Sequence, residues 1–357
     1  MITLKDINRP IIISGPCSAE TEEQVMETAR ELNATGKVHM LRAGIWKPRT
    51  RPNSFEGIGE IGLTWLMQAS VETGLPCMTE VANAHHVELA LKAGFKKLWI
   101  GARTTVNPFT VQEIADSVKG IEGLEILVKN PINPDVNLWI GAIERFLQVG
   151  IKDVHAVHRG FSSFTTKRYR NEPMWEIPLA LKSEFPTIKL LCDPSHICGK
   201  RELLFEISQK AIDLIYDGLM IESHITPDTA WSDALQQITP QDLNTLLENL
   251  VIRSENSDNS AFAKNLEALR YEINTIDSEL QNLLIKRMNV VQQIGKFKGE
   301  NKITILQPQR WDEIKSTHIA FAKENGFSKI FIEKYLEAIH LESIRQQTKV
   351  MNDGAKD

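Results

Sequence analysis

The chain has 357 residues, with 41 Lys and Arg, 46 Asp and Glu, and a formal net charge of -5. Hydrophobic residues make up 42% and charged residues 24%, the balance of a globular protein, which excludes a disordered or collagen-like chain. No apolar run reaches the roughly 18 residues that span a bilayer, and the acidic balance excludes a broad binding surface for nucleic acid or an anionic membrane.

The cysteines and the start of the chain indicate the compartment. The four cysteines are too few for a disulfide framework and include no CxxC pair. Residues 1–10 include the charged Lys5, Asp6 and Arg9, so this segment has no apolar core of the kind found in export signals. We therefore expect the protein in the cytoplasm.

Eight short, β-rich apolar runs recur through the first two-thirds of the chain. They begin at Pro10, Val38, Pro76, Lys97, Glu125, Asp153, Lys189 and Gly218. Helical patterns lie between them, for example from Thr21, Asn83, Asn133 and Arg201. This alternation predicts a parallel sheet, and eight units in about 240 residues match a closed (β/α)8 TIM barrel. A doubly wound open sheet is the alternative, but it usually has fewer strands and a glycine-rich first turn, which GPCS at 15–18 is not.

The composition changes after residue 250. We predict the barrel over 1–250, a polar linker over 251–261 and an all-α three-helix domain over 262–357. Apolar residues spaced three and four apart predict a long helix over 262–297, followed by helices near 309–324 and 328–349. Three helices of this kind cannot bury the apolar stripe of the first one within a single chain. We therefore expect a homodimer through these helices, with a higher oligomer left open.

Polar residues cluster at or just after the predicted strand ends, which converge on one mouth of a barrel. They are Cys17, Arg42, Glu80, Arg103, Lys129, Arg159, His196, Glu222 and His224. Six basic residues, Arg42, Lys47, Arg49, Arg103, Lys129 and Arg159, predict a substrate that carries phosphate or carboxylate groups. The alternative is that each basic side chain reaches solvent or pairs with a carboxylate.

A second set combines a thiol, an imidazole and two carboxylates, from Cys17, His196, Glu222 and Asp233. These are ligands for a divalent metal such as manganese, iron, cobalt or zinc rather than magnesium. The alternative for a lone cysteine after a strand is a small buried residue, which we expect for Cys192 and Cys198. His158 and His224 could be neutral histidines that only form hydrogen bonds.

Residues 1–250 resemble the type I-beta branch of 3-deoxy-D-arabino-heptulosonate 7-phosphate (DAHP) synthase. The motifs are GPCSAE at 15–20, KPRT at 47–50, IGAR at 100–103, HRG at 158–160, DPSH at 193–196 and ESH at 222–224. The resemblance implies condensation of phosphoenolpyruvate with erythrose 4-phosphate. The related 3-deoxy-D-manno-octulosonate 8-phosphate (KDO8P) synthase is the alternative, although KPRT is associated with erythrose 4-phosphate.

The resemblance also implies roles for individual residues. By this resemblance a divalent metal, with manganese as the expected ion, binds Cys17, His196, Glu222 and Asp233 and polarises the aldehyde. The implied phosphoenolpyruvate site comprises Arg103, Lys129 and Arg159 at the phosphate, Arg42 and Lys47 at the carboxylate, and Gly101 and Ala102 beside them. Pro48, Arg49 and Thr50 are expected at the aldose phosphate. Glu80 is expected to orient the attacking water, and Lys47 or a metal-bound water to donate the proton.

Arg287 and Lys298 lie 11 residues apart and share one face of the long helix, and Arg270 could reach the same pocket from an antiparallel partner. Such charges are otherwise typical of a solvated face on a dimerising coil. Residues 262–350, however, resemble AroQ-type chorismate mutase, which implies rearrangement of chorismate to prephenate. The implied site residues are Arg270 of the partner, Arg287 and Arg310 at the carboxylates, Lys298 and Gln347 at the ether oxygen, and Gln307 and Ser343.

Two positions depart from the mutase pattern. Trp311 stands where the family usually has Glu, which contacts the substrate hydroxyl, and Gln307 stands where Asp is common. An inactive dimerisation or sensor module is the alternative for this domain. Because both implied activities belong to the shikimate route, we hypothesise that prephenate or chorismate inhibits the synthase by docking the helical domain on the barrel.

Overall fold

The computed structural model describes residues 4–6, 8–47, 55–164, 168–253 and 259–353. It divides into two compact units, Met1–Glu255 and Asn256–Asp357. Within the described ranges, no helix is long and apolar enough to cross a membrane.

The first unit is built on eight parallel strands. They are β1 (Ile11–Gly15), β2 (Met40–Arg42), β3 (Cys77–Val81), β4 (Lys97–Ile100), β5 (Glu125–Lys129), β6 (Asp153–His158), β7 (Leu190–Cys192) and β8 (Gly218–Glu222). Each strand pairs with its neighbours in chain order, and β1 also pairs with β8. At this seam Ile13 lies opposite both Met40 and Met220. The (β/α)8 prediction is confirmed, and the open-sheet alternative is excluded because the sheet closes.

Ten helices of the described chain accompany these strands. They are α1 (Glu22–Ala34), α2 (Ile61–Thr73), α3 (Ala84–Lys92), α4 (Ala102–Thr105), α5 (Pro108–Ser117), α6 (Val136–Gln148), α7 (Glu176–Glu184), α8 (Pro194–Cys198), α9 (Leu204–Asp213) and α10 (Pro240–Asn249). Several begin at residues with a strong preference for the N-cap: Thr21, Asn83 and Asp135 each accept a hydrogen bond from a backbone N–H in the first turn. The short helices α4 and α8 follow β4 and β7 almost directly, at the barrel mouth.

Alternation along the strands divides the core into two layers. Ile11 and Ile13 of β1 face the barrel interior, whereas Ile12 faces the surrounding helices. The interior is filled by large side chains, among them the fully buried Trp99, and Leu4 packs into the same cluster. The interior of the barrel is therefore a packed core and not a pore.

The second unit consists of α11 (Ser260–Glu300), α12 (Pro308–Glu324) and α13 (Lys329–Asp353). The three predicted helices are present, but α11 begins inside the predicted linker, of which 254–258 lie outside the described residues. Among the described residues of this unit, Ala322, Ile332 and Leu336 form the one buried cluster, with Trp311 among the residues packed on it. Leu269, Ile273, Ile276, Leu280 and Leu283 of α11 remain about half exposed, so one chain leaves this apolar stripe uncovered.

Candidate active sites

The barrel mouth collects the polar residues predicted at the strand ends. Arg42, Lys129 and Glu222 end their strands, Glu80 lies near the end of β3, and His196 lies on α8. One cavity at this mouth is lined by Lys47, Glu80, Gly101, Ala102, Arg103, Lys129, Ile132, Arg159, Arg170, His196 and Asp233. Pro48, Arg49 and Thr50 lie outside the described residues.

The four predicted metal ligands form two close pairs. The Cys17 Sγ atom is 3.3 Å from Asp233 Oδ2, and His196 Nε2 is 3.7 Å from Glu222 Oε1. Asp233 holds a left-handed backbone conformation with φ of 49°, which is uncommon for a residue other than glycine and often marks a functional site. The predicted set is therefore brought together from four separate parts of the barrel.

Basic side chains neutralise these groups. Lys47 Nζ lies 2.7 Å from the Cys17 sulfur, and Arg170 Nη1 lies 3.0 Å from Asp233 Oδ1. Arg42 Nη1 lies 3.1 Å from Glu222 Oε1. Within the part of the chain that the structure describes, no three His, Cys, Asp or Glu side chains are already arranged as a metal site.

The chemistry of the donor set nevertheless fits a divalent metal. Burial, with a further contribution from Glu222, raises the pKa of the Cys17 thiol to about 12, so a thiolate here requires a nearby cation. Burial lowers the pKa of His196, which favours the neutral imidazole that ligates metals. Asp193 Oδ2 lies 2.8 Å from His196 Nδ1. This contact occupies Nδ1 and leaves Nε2 available to a metal, which is the usual arrangement of a metal-bound histidine.

Four basic residues converge beside this set. Burial lowers the pKa of Arg159 to about 10; Asp193 raises it, and Arg170 and Arg103 lower it further. Lys129 Nζ contacts Asp193 Oδ2 at 2.7 Å. Because burial destabilises the Arg159 cation and Arg170 and Arg103 add repulsion, an anion such as phosphate would stabilise the cluster when it binds between these side chains.

Glu80 is fixed on the cavity wall by its neighbours. Trp99 Nε1 donates a hydrogen bond to Glu80 Oε2 at 2.9 Å. A Cβ atom at Gly101 would lie 2.1 Å from Glu80 Oε1, so only glycine lets the carboxylate lie against the backbone here. This gives Gly101 of the predicted site a packing role in addition to any contact with substrate.

Arg42 does not line the cavity. It is 1% exposed, donates from Nη2 to the Cys17 carbonyl oxygen at 3.1 Å, and lies with its guanidinium carbon 4.7 Å from the centre of the Trp99 ring. In this structure it therefore supports Cys17 and Glu222 from below. Its contact with a substrate carboxylate stays a prediction.

Three residues at the mouth were missed as site residues by sequence reasoning. Arg170 contacts Asp233 from the long segment after β6, where no strand end signals it. Asp193 holds both Lys129 and His196, and it was visible only as part of the DPSH motif. Gln236 donates to Glu222 Oε2 at 2.7 Å.

His158 takes the neutral, hydrogen-bonding alternative, and His224 also forms hydrogen bonds. His158 Nε2 donates to the Pro173 carbonyl oxygen at 2.7 Å, and the Tyr216 hydroxyl donates to Nδ1 at 2.9 Å. Burial lowers the pKa of His158 to about 3. His224 Nδ1 accepts the Thr226 N–H at 2.9 Å, and its Nε2 lies 3.4 Å from Glu20.

The helical unit contains a second cavity, of about 750 Å³. Six of the seven residues predicted for a mutase site line it: Arg287, Lys298, Gln307, Arg310, Ser343 and Gln347. Arg270 lies outside the lining and contacts Glu267 at 3.8 Å, with its side chain 64% exposed. A single chain therefore provides most of this site but not Arg270.

Hydrogen bonds of Arg287 and Lys298 organise the second cavity. Arg287 Nη1 donates to Ser343 Oγ at 2.8 Å, and Lys298 Nζ donates to the Ile305 carbonyl oxygen at 2.6 Å. Gln347 is weakly engaged: its Nε2 is 3.4 Å from the Ser343 carbonyl oxygen, and its buried Oε1 has no hydrogen-bond partner among the described residues. A substrate could therefore compete for the Gln347 amide at little cost.

The comparisons agree with this two-part organisation. Residues 3–257 match the model of the DAHP synthetase I family, and residues 269–348 match that of chorismate mutase type II. The chain therefore belongs to the DAHP synthetase I family and carries a chorismate mutase type II domain. The family resemblances inferred from the sequence are confirmed.

Individual relatives match one part each. The chain is 32% identical to phospho-2-dehydro-3-deoxyheptonate aldolase of Thermotoga maritima over 228 residues, 64% of this chain and 64% of the relative. A crystal structure of phospho-2-dehydro-3-deoxyheptonate aldolase (DAHP synthase) from the same organism superposes with a TM-score of 0.61 and 28% identity, covering 69% of this chain and 70% of its own. The T-protein of Haemophilus influenzae is 32% identical over 89 residues, 25% of this chain and 24% of the relative. The chain thus spans under two-thirds of the length of either curated relative.

The buried His158 predicts a pH dependence of stability. Its pKa is about 3 in the folded state against 6.5 for the unperturbed group, so the unfolded chain alone takes up a proton between these values. This contribution is complete above pH 6.5 and is lost as pH falls. We expect the loss of this contribution to lower the free energy of unfolding by about 2 kcal/mol as the pH falls from 6.5 to 5.

The measurement is urea unfolding at each pH for the wild type, His158→Gln and His85→Gln. In His158→Gln the free energy of unfolding should change less steeply with pH than in the wild type. His85→Gln should keep the wild-type slope, because the His85 side chain is 71% exposed. Equal slopes for all three proteins would contradict the assignment.

Proposed function

We propose that the barrel condenses phosphoenolpyruvate with erythrose 4-phosphate and water to give DAHP and phosphate, and that the helical domain rearranges chorismate to prephenate. Both reactions belong to the shikimate route to aromatic amino acids. The observation that carries the first proposal is that His196 and Asp233 line one cavity together with a cluster of basic residues. The buried Cys17 and Glu222 lie next to Asp233 and His196, respectively. The name of the Thermotoga relative supports the same reaction.

In the barrel, Arg103, Lys129, Arg159 and Arg170 would hold the phosphate of phosphoenolpyruvate, since they surround one side of the cavity. A divalent metal held by Cys17, His196, Glu222 and Asp233, with manganese as our choice, would supply a Lewis acid for the aldehyde oxygen. Asp193 orients His196 for this role and keeps Lys129 in place. Much of the rate enhancement would come from positioning and fixed charge.

Two further side chains are placed for proton and water chemistry. Lys47 Nζ lies 2.7 Å from the Cys17 sulfur and on the cavity wall, so it could deliver a proton to an oxygen bound beside Cys17. Glu80 Oε1 is free of the Trp99 hydrogen bond that holds Oε2. It could orient the water that adds to C2 of phosphoenolpyruvate.

In the helical domain, Arg287 and Arg310 would bind the carboxylates of chorismate, and Lys298 and Gln347 would bind its ether oxygen. The supporting observation is that all four line one cavity between three helices. The reaction needs no covalent help from the protein. Confinement of a compact conformer, with positive charge at the breaking bond, would supply the rate enhancement.

Removal of the metal tests the synthase assignment. Full-length protein treated with a chelator should lose at least about 100-fold in condensation rate and recover with manganese, because the Cys17 site then lacks its Lewis acid. Loss of phosphoenolpyruvate absorbance measures the rate. Cys17→Ala should not recover, whereas Cys77→Ala, which removes a buried thiol against Met67, should behave as wild type. Full activity without metal would contradict the proposal.

The same assay distinguishes a DAHP synthase from the related KDO8P synthase. Turnover of arabinose 5-phosphate but not erythrose 4-phosphate would assign the barrel as a KDO8P synthase. Mutase activity should be indifferent to the chelator, because the described lining of the helical cavity includes no Cys, Asp or Glu.

We further propose that the helical domains pair as a homodimer through the exposed stripe of α11, with Arg270 of one chain completing the site of its partner. The half-exposed apolar residues and the absence of Arg270 from the cavity of its own chain support this. Arg270→Ala and Arg287→Ala should each abolish most mutase turnover. Random co-assembly of the two should restore about a quarter of the wild-type sites, since half the dimers carry one intact site.

Prephenate formation in co-expressed, doubly tagged protein measures this recovery. The Lys286→Ala variant serves as the control, because Lys286 is an exposed neighbour of Arg287 on α11. No recovery in a mixture that remains dimeric would show that Arg270 does not act across chains.

We also propose feedback inhibition of the synthase by prephenate bound at the mutase site. Prephenate should inhibit condensation in the wild type, and Arg287→Ala should raise the required concentration at least about tenfold, because coupling requires the ligand to bind its own site. Lys286→Ala again serves as the matched control. Equal inhibition of the wild type and Arg287→Ala would reject this route of regulation.

A further inference from the structure

The helical cavity has an unbalanced charge. Its lining contains Arg287, Lys298 and Arg310, and among the described residues that line it there is no Asp or Glu. The acidic partner of Arg310 is Glu313, at 2.9 Å, but this ion pair is exposed and Glu313 lies outside the lining. The cavity therefore suits a dianion and offers no counter-charge to a positively charged group.

Trp311 of α12 and His340 of α13 form a stacked pair on the wall of this cavity. Their ring centres are 3.9 Å apart and their planes are inclined by 19°. The Lys315 ammonium lies 5.7 Å from the centre of the Trp311 ring. The stack fixes the plane of the imidazole beside Ser343, one turn further along α13, which receives the Arg287 hydrogen bond.

His340 is suited to a neutral hydroxyl. Partial burial, followed by the charge of Arg287, lowers its pKa, so the imidazole is neutral near pH 7. A neutral imidazole has one donor and one acceptor, the same combination that a hydroxyl group presents. An ammonium group has donors only and would also be repelled by Arg287.

The other polar groups of chorismate already have partners in the proposed mutase site. The basic residues take the carboxylates, and Lys298 with Gln347 takes the ether oxygen, which leaves the ring hydroxyl. Of the other uncharged polar residues in the lining, Gln307, His318 and Tyr335 are exposed and Ser343 accepts the Arg287 hydrogen bond. His340, in contrast, is held by its stack.

We propose that Trp311 and His340 form the subsite for the ring hydroxyl, and that this neutral pair selects a hydroxyl over an ammonium group at that position. In this pair His340 contacts the hydroxyl and Trp311 positions the imidazole. The inference rests on the mutase function proposed above and names the specificity of the same site.

The test compares kcat/KM for chorismate and for 4-amino-4-deoxychorismate, in which an ammonium group replaces the hydroxyl. The full-length proteins are the wild type, His340→Leu, His340→Gln and Trp311→Glu. Unchanged synthase rates and circular dichroism exclude misfolding. Thr317→Glu is the matched control, because Thr317 lies on α12, is exposed and does not line the cavity.

The wild type should prefer chorismate. His340→Leu should lower kcat/KM for chorismate about tenfold through loss of one hydrogen bond, whereas His340→Gln, which keeps a donor and an acceptor, should retain most of it. Trp311→Glu should shift the preference at least about tenfold toward the ammonium compound, because a carboxylate then faces it. Thr317→Glu should leave the preference unchanged.

Two results would overturn the subsite: equal rates for His340→Leu and His340→Gln, or an unchanged preference in Trp311→Glu. The His340 pair tests the proposal even where the buried charge of Trp311→Glu prevents folding. If the wild type converts neither compound while its synthase is active, the mutase function itself is wrong and the subsite falls with it.

Discussion

The barrel mouth depends on one buried carboxylate. Asp193 contacts Lys129 at 2.7 Å and His196 at 2.8 Å, and its side chain also accepts the His196 backbone N–H at the start of α8. These charges hold the pKa of Asp193 well below its usual range, although burial opposes them. Without this anion Lys129 would be an uncompensated buried cation, and His196 would lose the partner that turns Nε2 toward Cys17, Glu222 and Asp233.

The two cavities differ in how the charges of their side chains are balanced. At the barrel mouth Glu222, Asp233 and Asp193 each contact a basic side chain, so a ligand that binds there must compete with, or complete, an existing network. In the helical cavity the basic residues face apolar side chains, and its described lining includes no acid. The first arrangement suits activation of an aldehyde beside a bound phosphate, whereas the second suits confinement of a dianion without covalent chemistry.

Much of the fold was predictable because local patterns and tertiary packing agree. The eight apolar runs became the eight strands, and Thr21, Asn83 and Asp135 stand at the helix starts where their side chains can cap. The positions of Glu80, Lys129 and Glu222 at predicted strand ends also indicated that these residues lie at the barrel mouth. Arg170 escaped prediction because it reaches Asp233 from an irregular segment, where periodicity carries no information. The position of Arg42 under Cys17 and Glu222 and against Trp99 was likewise not readable from the sequence, because these contacts join different parts of the barrel.

Composition, periodicity and motif order were thus enough to predict a parallel barrel, a helical domain and the basic residues that line a cavity in each, since each of these features is encoded in short stretches of the chain. Which charges neutralise one another was not readable in this way. The pairing of Lys47 with Cys17, the stack of Trp311 on His340 and the position of Gly101 against Glu80 join residues from different elements. Their distances are set by barrel closure and by the packing of α12 on α13, because such contacts depend on the three-dimensional path of the whole backbone.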